Sequence, residues 1–331
     1  MNRRTLAPLV LVATSALALA GCASTAPDAG TDDAVQVVAS TNVYGSIAEA
    51  IGGDLVDVTA VITSLSQDPH SYEASARDQL TVSRADLIVA NGGGYDAFMD
   101  DLIDASGTDA VVLSAVTFSH DYPDNAGHDA EPDHDHAEGD DHEHDDAEDH
   151  DGHDHIEGFN EHVWYDPHTM AHLAEDIAHE LGALDPGNAS TYEANAAEFT
   201  AGIDEIEAAL DDIAAGHQGT QIFVTEPVPL YLTEAAGLVN ATPEAFSEAV
   251  EEGQDVPPVS LLEALRTIES GDIAVLIANA QTGGAETSQV IDAATAQEIP
   301  VLEFTELVPE GETYLTWMGQ NVADLAGTLS R

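Results

Sequence analysis

The sequence predicts an α/β fold of two lobes, each a parallel sheet flanked by helices, joined by one long helix. Three observations lead there. From Val35 onward, short runs rich in Val, Ile and Leu alternate with longer amphipathic stretches, the rhythm of βα units with parallel strands. Residues 189–215 hold no proline and a single glycine, Gly202, and they repeat Tyr192, Ala196, Phe199, Ile203, Ile206 and Leu210 at helical spacing. Such a helix would be about 40 Å long and would serve as a spine between two domains. Beyond it the alternation of strands and helices begins again.

The elements follow in order. VQVVAST is a strand, and TNVYGSIAEAIGG a helix closed by Gly52-Gly53. LVDVTAVI is a second strand that leads into the loop TSLSQDPHSYEAS. SARDQLTVSRA, DLIVANG, GYDAFMDDLIDAS and DAVVLS then read as helix, strand, helix and strand. Val163, Trp164 and Tyr165 are strand-forming, and Asp166-Pro167 has the chemistry of a helix N-cap followed by proline at the first helical position, opening a helix over 167–181. After the long helix come QIFVTE (strand), YLTEAAGL (helix), PPVSLLEALRTIESG (helix), DIAVLIANAQTGG (strand and exit loop), AETSQVIDAATAQE (helix), IPVLEFTEL (strand) and a last helix in ETYLTWMGQNVADLAGTLS. The expected divisions are 1–21, 22–34, 35–187 for the front lobe, 188–217 for the linking helix and 218–331 for the rear lobe.

A chain of 331 residues is long for one core, and 44% hydrophobic content suits a globular protein. All six basic residues are arginine, and the formal charge is −57. That field disfavours nucleic acid and anionic lipid headgroups and favours a cationic ligand. Residues 1–21 read as a signal peptide: Arg3-Arg4, an apolar run from Leu6 to Ala20, then small residues. The sole cysteine, Cys22 in Leu-Ala-Gly-Cys, resembles the bacterial lipobox, whose cysteine becomes lipidated after cleavage. The expected location is therefore outside the cytoplasm, on the outer face of the cell membrane, with residues 22–34 as a polar tether. One cysteine excludes an internal disulfide and a cysteine-based zinc site.

Residues 120–155 hold nine of the fifteen histidines among many Asp and Glu. Carboxylates alone would suit calcium or magnesium, whereas paired imidazoles point to a transition metal. With almost no apolar residue, the tract cannot offset the entropy of ordering itself. It reads as a weak metal collector built on His128, His134, His136, His142, His144, His150, His153 and His155.

In open parallel sheets, ligands bind beyond the carboxyl ends of strands. Four exit loops carry suitable side chains: Asp68-Pro69-His70, His162 just past the acidic tract, Glu226-Pro227, and Asn279 with Gln281 and Thr282. Each residue alone is weak evidence. Two imidazoles and a carboxylate converging between lobes would make a site for a borderline metal. On the helix after Pro167, His168, His172 and His179 fall at i, i+4 and i+11; His168 and His172 share a face and could bind metal alone, although exposed helix histidines commonly bind nothing.

The segments QDPHSYEASARDQLTVSRADLIVANGGGYDAFMDDL, EHVWYDP and FVTEPVPLYLTEAAGL resemble those of the zinc/manganese-binding lipoproteins of ABC importers, the cluster A-I or ZnuA/TroA-like family, over nearly all of the chain after about Val35. The resemblance implies two Rossmann-like lobes joined by one long helix, metal held in the cleft, and delivery to a membrane permease with a cytoplasmic ATPase. It places the metal ligands at His70, His162 and Glu226. The fourth family position, an Asp after a rear-lobe strand, is sought in NAQTGGAE, which has none; Asn279, Gln281 or a water would complete the shell. Zn2+ is the expected ion and Mn2+ the alternative, for a monomer anchored by its lipid that binds and releases metal without catalysis. The competing readings are a secreted zinc-dependent hydrolase, which would need an open coordination position and a general base as in HExxH, absent here, and a metal buffer or adhesin.

Overall fold

The structure, a computed structural model, describes residues 34–125, 156 and 158–331. The expectations for the signal segment, for Cys22 and for the tract histidines His128 to His155 lie outside the described residues.

The front lobe carries four parallel strands, β1 (Val35–Thr41), β2 (Val56–Ile62), β3 (Leu87–Ala90) and β4 (Val111–Ser114), in the order β2-β1-β3-β4. Helices α1 (Asn42–Gly52), α2 (Ala76–Val82) and α3 (Ala97–Ser106) connect them. The rear lobe repeats the plan with β5 (Gln221–Val224), β6 (Val239–Asn240), β7 (Ile273–Asn279) and β8 (Val301–Phe304), again parallel and in the order β6-β5-β7-β8. Between the lobes stand α4 (Pro167–Leu184) and α5 (Ala189–His217), a helix of 29 residues. The rear lobe adds α6 (Leu230–Ala235), α7 (Glu244–Glu251), α8 (Pro258–Glu269), α9 (Ala285–Ala296) and α10 (Tyr314–Leu329).

Local chemistry explains the boundaries. Ser75 and Asp78 form a reciprocal capping box at the start of α2. Asp166 caps α4 by accepting from His168 N, with Pro167 in the first turn. In α5, Tyr192, Ala196, Phe199, Ile203, Ile206, Leu210 and Ile213 form one buried stripe. That stripe, with the alanines that share the outward face with Asp and Glu, is why the helix holds over eight turns.

Strand alternation sorts the core. Val37 and Ala39 of β1 join α1, α4 and α5 on the inner side, while Val38 faces Phe98, Met99 and Leu102 on the outer side. The inner cluster runs on without a break through Ile222 and Val224 of β5, Val275 and Ile277 of β7, and Trp317, Met318 and Leu325 of α10. A separate outer cluster of the rear lobe gathers Phe223, Phe246, Ile268, Leu276 and Val290.

Three local expectations differ from what is observed. Val163–Tyr165 is a 3-10 turn rather than a strand; all three side chains are buried and no neighbouring strand offers a ladder. Helix α4 continues past Leu181 to Leu184 before Pro186 stops it. The two-residue strand β6 and the helix α7 have no counterpart in the sequence reading, being too short for hydrophobic periodicity to register.

Candidate metal centre

In the front lobe, Asp68 shapes the turn that carries His70: its carboxylate accepts from His70 N and from Ser71 Oγ, both at 2.9 Å. The His70 ring stands edge-on to Tyr95 at 4.8 Å between centroids. Its Nδ1 lies 3.4 Å from Glu161 Oε1. His162 is fully buried. Its Nδ1 is 2.7 Å from Asn160 Oδ1, and its ring packs against Trp164 and Tyr95. The Asn160 oxygen is an acceptor that favours the His162 tautomer with its proton on Nδ1, leaving Nε2 as the lone-pair donor.

Tyr95 reaches this position through the exit of β3, Asn91-Gly92-Gly93-Gly94. All three glycines have positive φ, and a Cβ on Gly92 would collide with Ser114 Oγ. Asp96 closes the turn by accepting from Asn91 N at 2.6 Å and Gly92 N at 2.8 Å. Burial pushes its carboxyl up to about 6 despite these bonds.

The rear lobe contributes two buried carboxylates. Glu226 follows β5, and Glu306 follows β8. Asn279, the last residue of β7, donates through Nδ2 to both, at 2.9 Å to Glu226 and 2.6 Å to Glu306. Thr282 Oγ1 donates to the other oxygen of Glu226. Tyr95 donates across the lobe boundary to Glu306 Oε2 at 3.0 Å. Burial first, and the neighbouring Glu226 charge second, push the Glu306 carboxyl up to about 7. Burial also raises Glu226, opposed by the bonds from Thr282 and Asn279. No arginine pairs with either carboxylate among the described residues.

Donor atoms of His70, His162 and Glu306 all lie within 4.8 Å of one another. Glu161 and Glu251 bring further carboxylate oxygens within the same distance of His162. Two imidazoles with one or two carboxylates suit zinc, manganese or iron(II) and are too nitrogen-rich for calcium. Above His70 opens a cavity of about 1270 Å³ between the lobes, lined by Asp68, Asp100, Glu251, Asp255 and Glu286 among others, so the approach to the site is acidic.

Of the residues singled out from sequence, His70 and His162 come together. Glu226 stands outside the tight grouping, one amide away from it. Asn279 and Gln281 are near, but their amide oxygens face away from an ion: Asn279 Oδ1 accepts from Gln281 N, and Gln281 Oε1 accepts from Glu306 N and Leu307 N. Glu306, which the sequence reading does not single out, stands in that grouping. Its signal was present, since the strand-exit argument applied to β7 applies equally to EFTEL after β8, whose Phe304 pairs in register with Asn279.

The family model described as zinc-uptake complex component A, periplasmic (ZnuA), matches residues 37–328. The manganese ABC transporter substrate-binding lipoprotein PsaA of Streptococcus pneumoniae is 30% identical over 203 residues, 57% of this chain and 55% of that protein, so the chain spans about half the length of this relative. The iron ABC transporter substrate-binding lipoprotein MtsA of Streptococcus pyogenes is 27% identical over 268 residues, 77% of this chain and 76% of that one. Among solved structures, the laminin-binding adhesin Lmb of Streptococcus agalactiae superposes with a TM-score of 0.67 at 21% identity, over 89% of this chain and 99% of that one. A crystal structure of ZnuA gives 0.64 at 19% identity, over 89% and 98%. Matched from its first strand to its last helix, with two imidazoles and a buried acid meeting between paired sheets, the chain belongs to the ZnuA family.

Proposed function

We propose that the chain is the extracytoplasmic binding component of an ABC importer, which takes one divalent transition-metal ion into the cleft and passes it to a membrane permease. His70 and His162 bind through Nε2, Glu306 through a carboxylate oxygen, and Glu226 completes the shell after a small rearrangement of its bond to Thr282. The supporting observation is the convergence of His70, His162 and Glu306 donor atoms within 4.8 Å, with the Glu226 carboxylate beside Glu306 across the Asn279 amide. An ion there would offset the burial, and secondly the Glu226 charge, that raise Glu306, and would release its proton on binding. Tyr95 and Asn279 hold that carboxylate from outside and set its orientation.

Zinc is the preferred cargo. A pair of imidazoles suits it, the matching family model is named for zinc uptake, and the histidine-rich run beginning at His120 would gather the same ion. Manganese is the second reading, favoured by the paired carboxylates and by the name of PsaA. Lipid attachment through Cys22 would hold the protein beside its permease.

Competition titration against a chelator tests the ligand set. His70→Ala, His162→Ala and Glu306→Ala should each weaken the tight site by about 100-fold or more, as each removes one of few direct donors. Unchanged affinity in any of them would remove that residue from the shell. Elemental analysis of protein purified without added metal distinguishes the ions: zinc supports the first reading, and manganese at one per chain overturns it in favour of the second.

A further inference from the structure

A second pair of histidines lies away from the cleft, on the face of α4 toward α5. His168 and His172 are one helical turn apart, and their side chains are 63% and 38% exposed. Their rings meet at 90°, with Nε2 of one 3.2 Å from Nε2 of the other. Each Nδ1 points the opposite way, to a carboxylate: His168 Nδ1 is 3.8 Å from Glu207 Oε1 of α5, and His172 Nδ1 is 3.8 Å from Glu175 Oε2.

That arrangement has a specific chemical meaning. The 3.2 Å contact is a hydrogen bond in which one ring donates its Nε2–H to the other, and a divalent ion that displaces that proton, leaving the remaining proton of each ring on Nδ1 toward its carboxylate, would take two lone pairs at one point. Zinc–nitrogen bonds of about 2.05 Å with nitrogens 3.2 Å apart subtend about 103° at the ion, close to the tetrahedral value. A carboxylate behind each ring is the usual support for a histidine ligand, and from 3.8 Å Glu207 and Glu175 need close by only about 1 Å to accept from Nδ1–H once a metal holds Nε2. The surroundings favour a cation: burial and the charges of Asp204, Asp166 and Asp211 raise the Glu207 carboxyl, while His168 alone lowers it.

We propose that His168 and His172 form a second, surface site for a divalent transition-metal ion, with Glu207 and Glu175 orienting the rings and water filling the remaining positions. Two protein ligands make it weaker and faster-exchanging than the cleft. It sits where α4 begins: Asp166, the cap of that helix, also lies 3.8 Å from Nδ1 of His120, the first histidine of the histidine-rich run.

The test is site-resolved carbethoxylation of the full chain by diethyl pyrocarbonate, read by peptide mass spectrometry as zinc is raised. His168 and His172 should become protected together, and only at zinc beyond the first equivalent, which the cleft takes up. His179, exposed on the same helix, serves as the internal control and should stay reactive. His172→Ala, or His172→Gln should the first variant fold poorly, should raise the zinc needed to protect His168 by about tenfold or more. Protection of the pair should survive His70→Ala, so failure of the cleft assignment would not be confused with failure of this one. Equal modification of His168 with and without zinc, or protection of His168 unaltered by loss of its partner, would overturn the proposal.

Discussion

Glu306 makes the metal-free protein's stability depend on pH in a direction unusual for a carboxylate. Burial pushes its pKa up from 4.5 to about 7, so between those values the folded chain holds a proton there that the unfolded chain releases. Its contribution to stability is therefore complete below about pH 4.5 and is lost as pH rises through about 7. At about 1.4 kcal/mol per tenfold change in acidity, the full loss is about 3 kcal/mol. Glu306→Gln is neutral at every pH and can keep partners: Asn279 Nδ2 still donates to an amide oxygen, and Tyr95 OH can accept from the new amide N–H. Urea unfolding of chelator-treated protein at pH 5 and pH 8 reads the effect as a difference between two slopes. Wild type should lose about 2.5 kcal/mol more than the variant over that interval, leaving the variant the more stable protein at pH 8. Asp96, pushed up by burial to about 6, adds a fall of the same sign, but it is present in both proteins and cancels. Parallel pH dependences for the two would refute the reasoning, because the buried charge would then cost nothing. The stability gained by the variant should be accompanied by lost metal affinity, as expected when a site is kept strained for its ligand.

Tyr95→Phe removes a bond from the front lobe to Glu306 and should cost about 1–3 kcal/mol in chelator-treated protein above pH 8, measured by urea midpoint. Gly92→Ala puts a Cβ against Ser114 Oγ at φ +78° and should destabilise by about 1–3 kcal/mol while displacing Tyr95; an unchanged melting temperature would contradict the turn geometry. Trp164→Ala opens a cavity behind His162 and should cost about 3–5 kcal/mol, with weaker metal binding in the same titration. Asn279→Ala removes the donor shared by the two acids and should raise the pH at which bound metal is released, since both carboxyls would hold protons more tightly.

The alternation of apolar runs with amphipathic ones was enough to read the larger strands and helices, because a strand buried on both faces and a helix buried along one stripe leave different spacings. It could not reveal which strands sit at the centre, and β6 with two residues carries no period at all. The Val163-Trp164-Tyr165 run was misread for a related reason: aromatic and branched side chains mark burial, and burial here is achieved in a single tight turn. His70 and His162 were legible because imidazoles are few outside the acidic tract. Residue type does not mark Glu306, which is one acid among 63 Asp and Glu in the chain. Its distinction lies in position alone, two residues past a strand whose end pairs with Asn279.

The unbroken inner cluster, shared by both sheets through α4, α5 and α10, has a consequence for how the molecule comes apart. Neither sheet has a private apolar interior on its inner side, so melting one strips cover from the other. Heat or denaturant should therefore take the chain through one cooperative transition, and an ion gripped at the mouth of the crevice would delay the collapse of the far edges of both sheets alike.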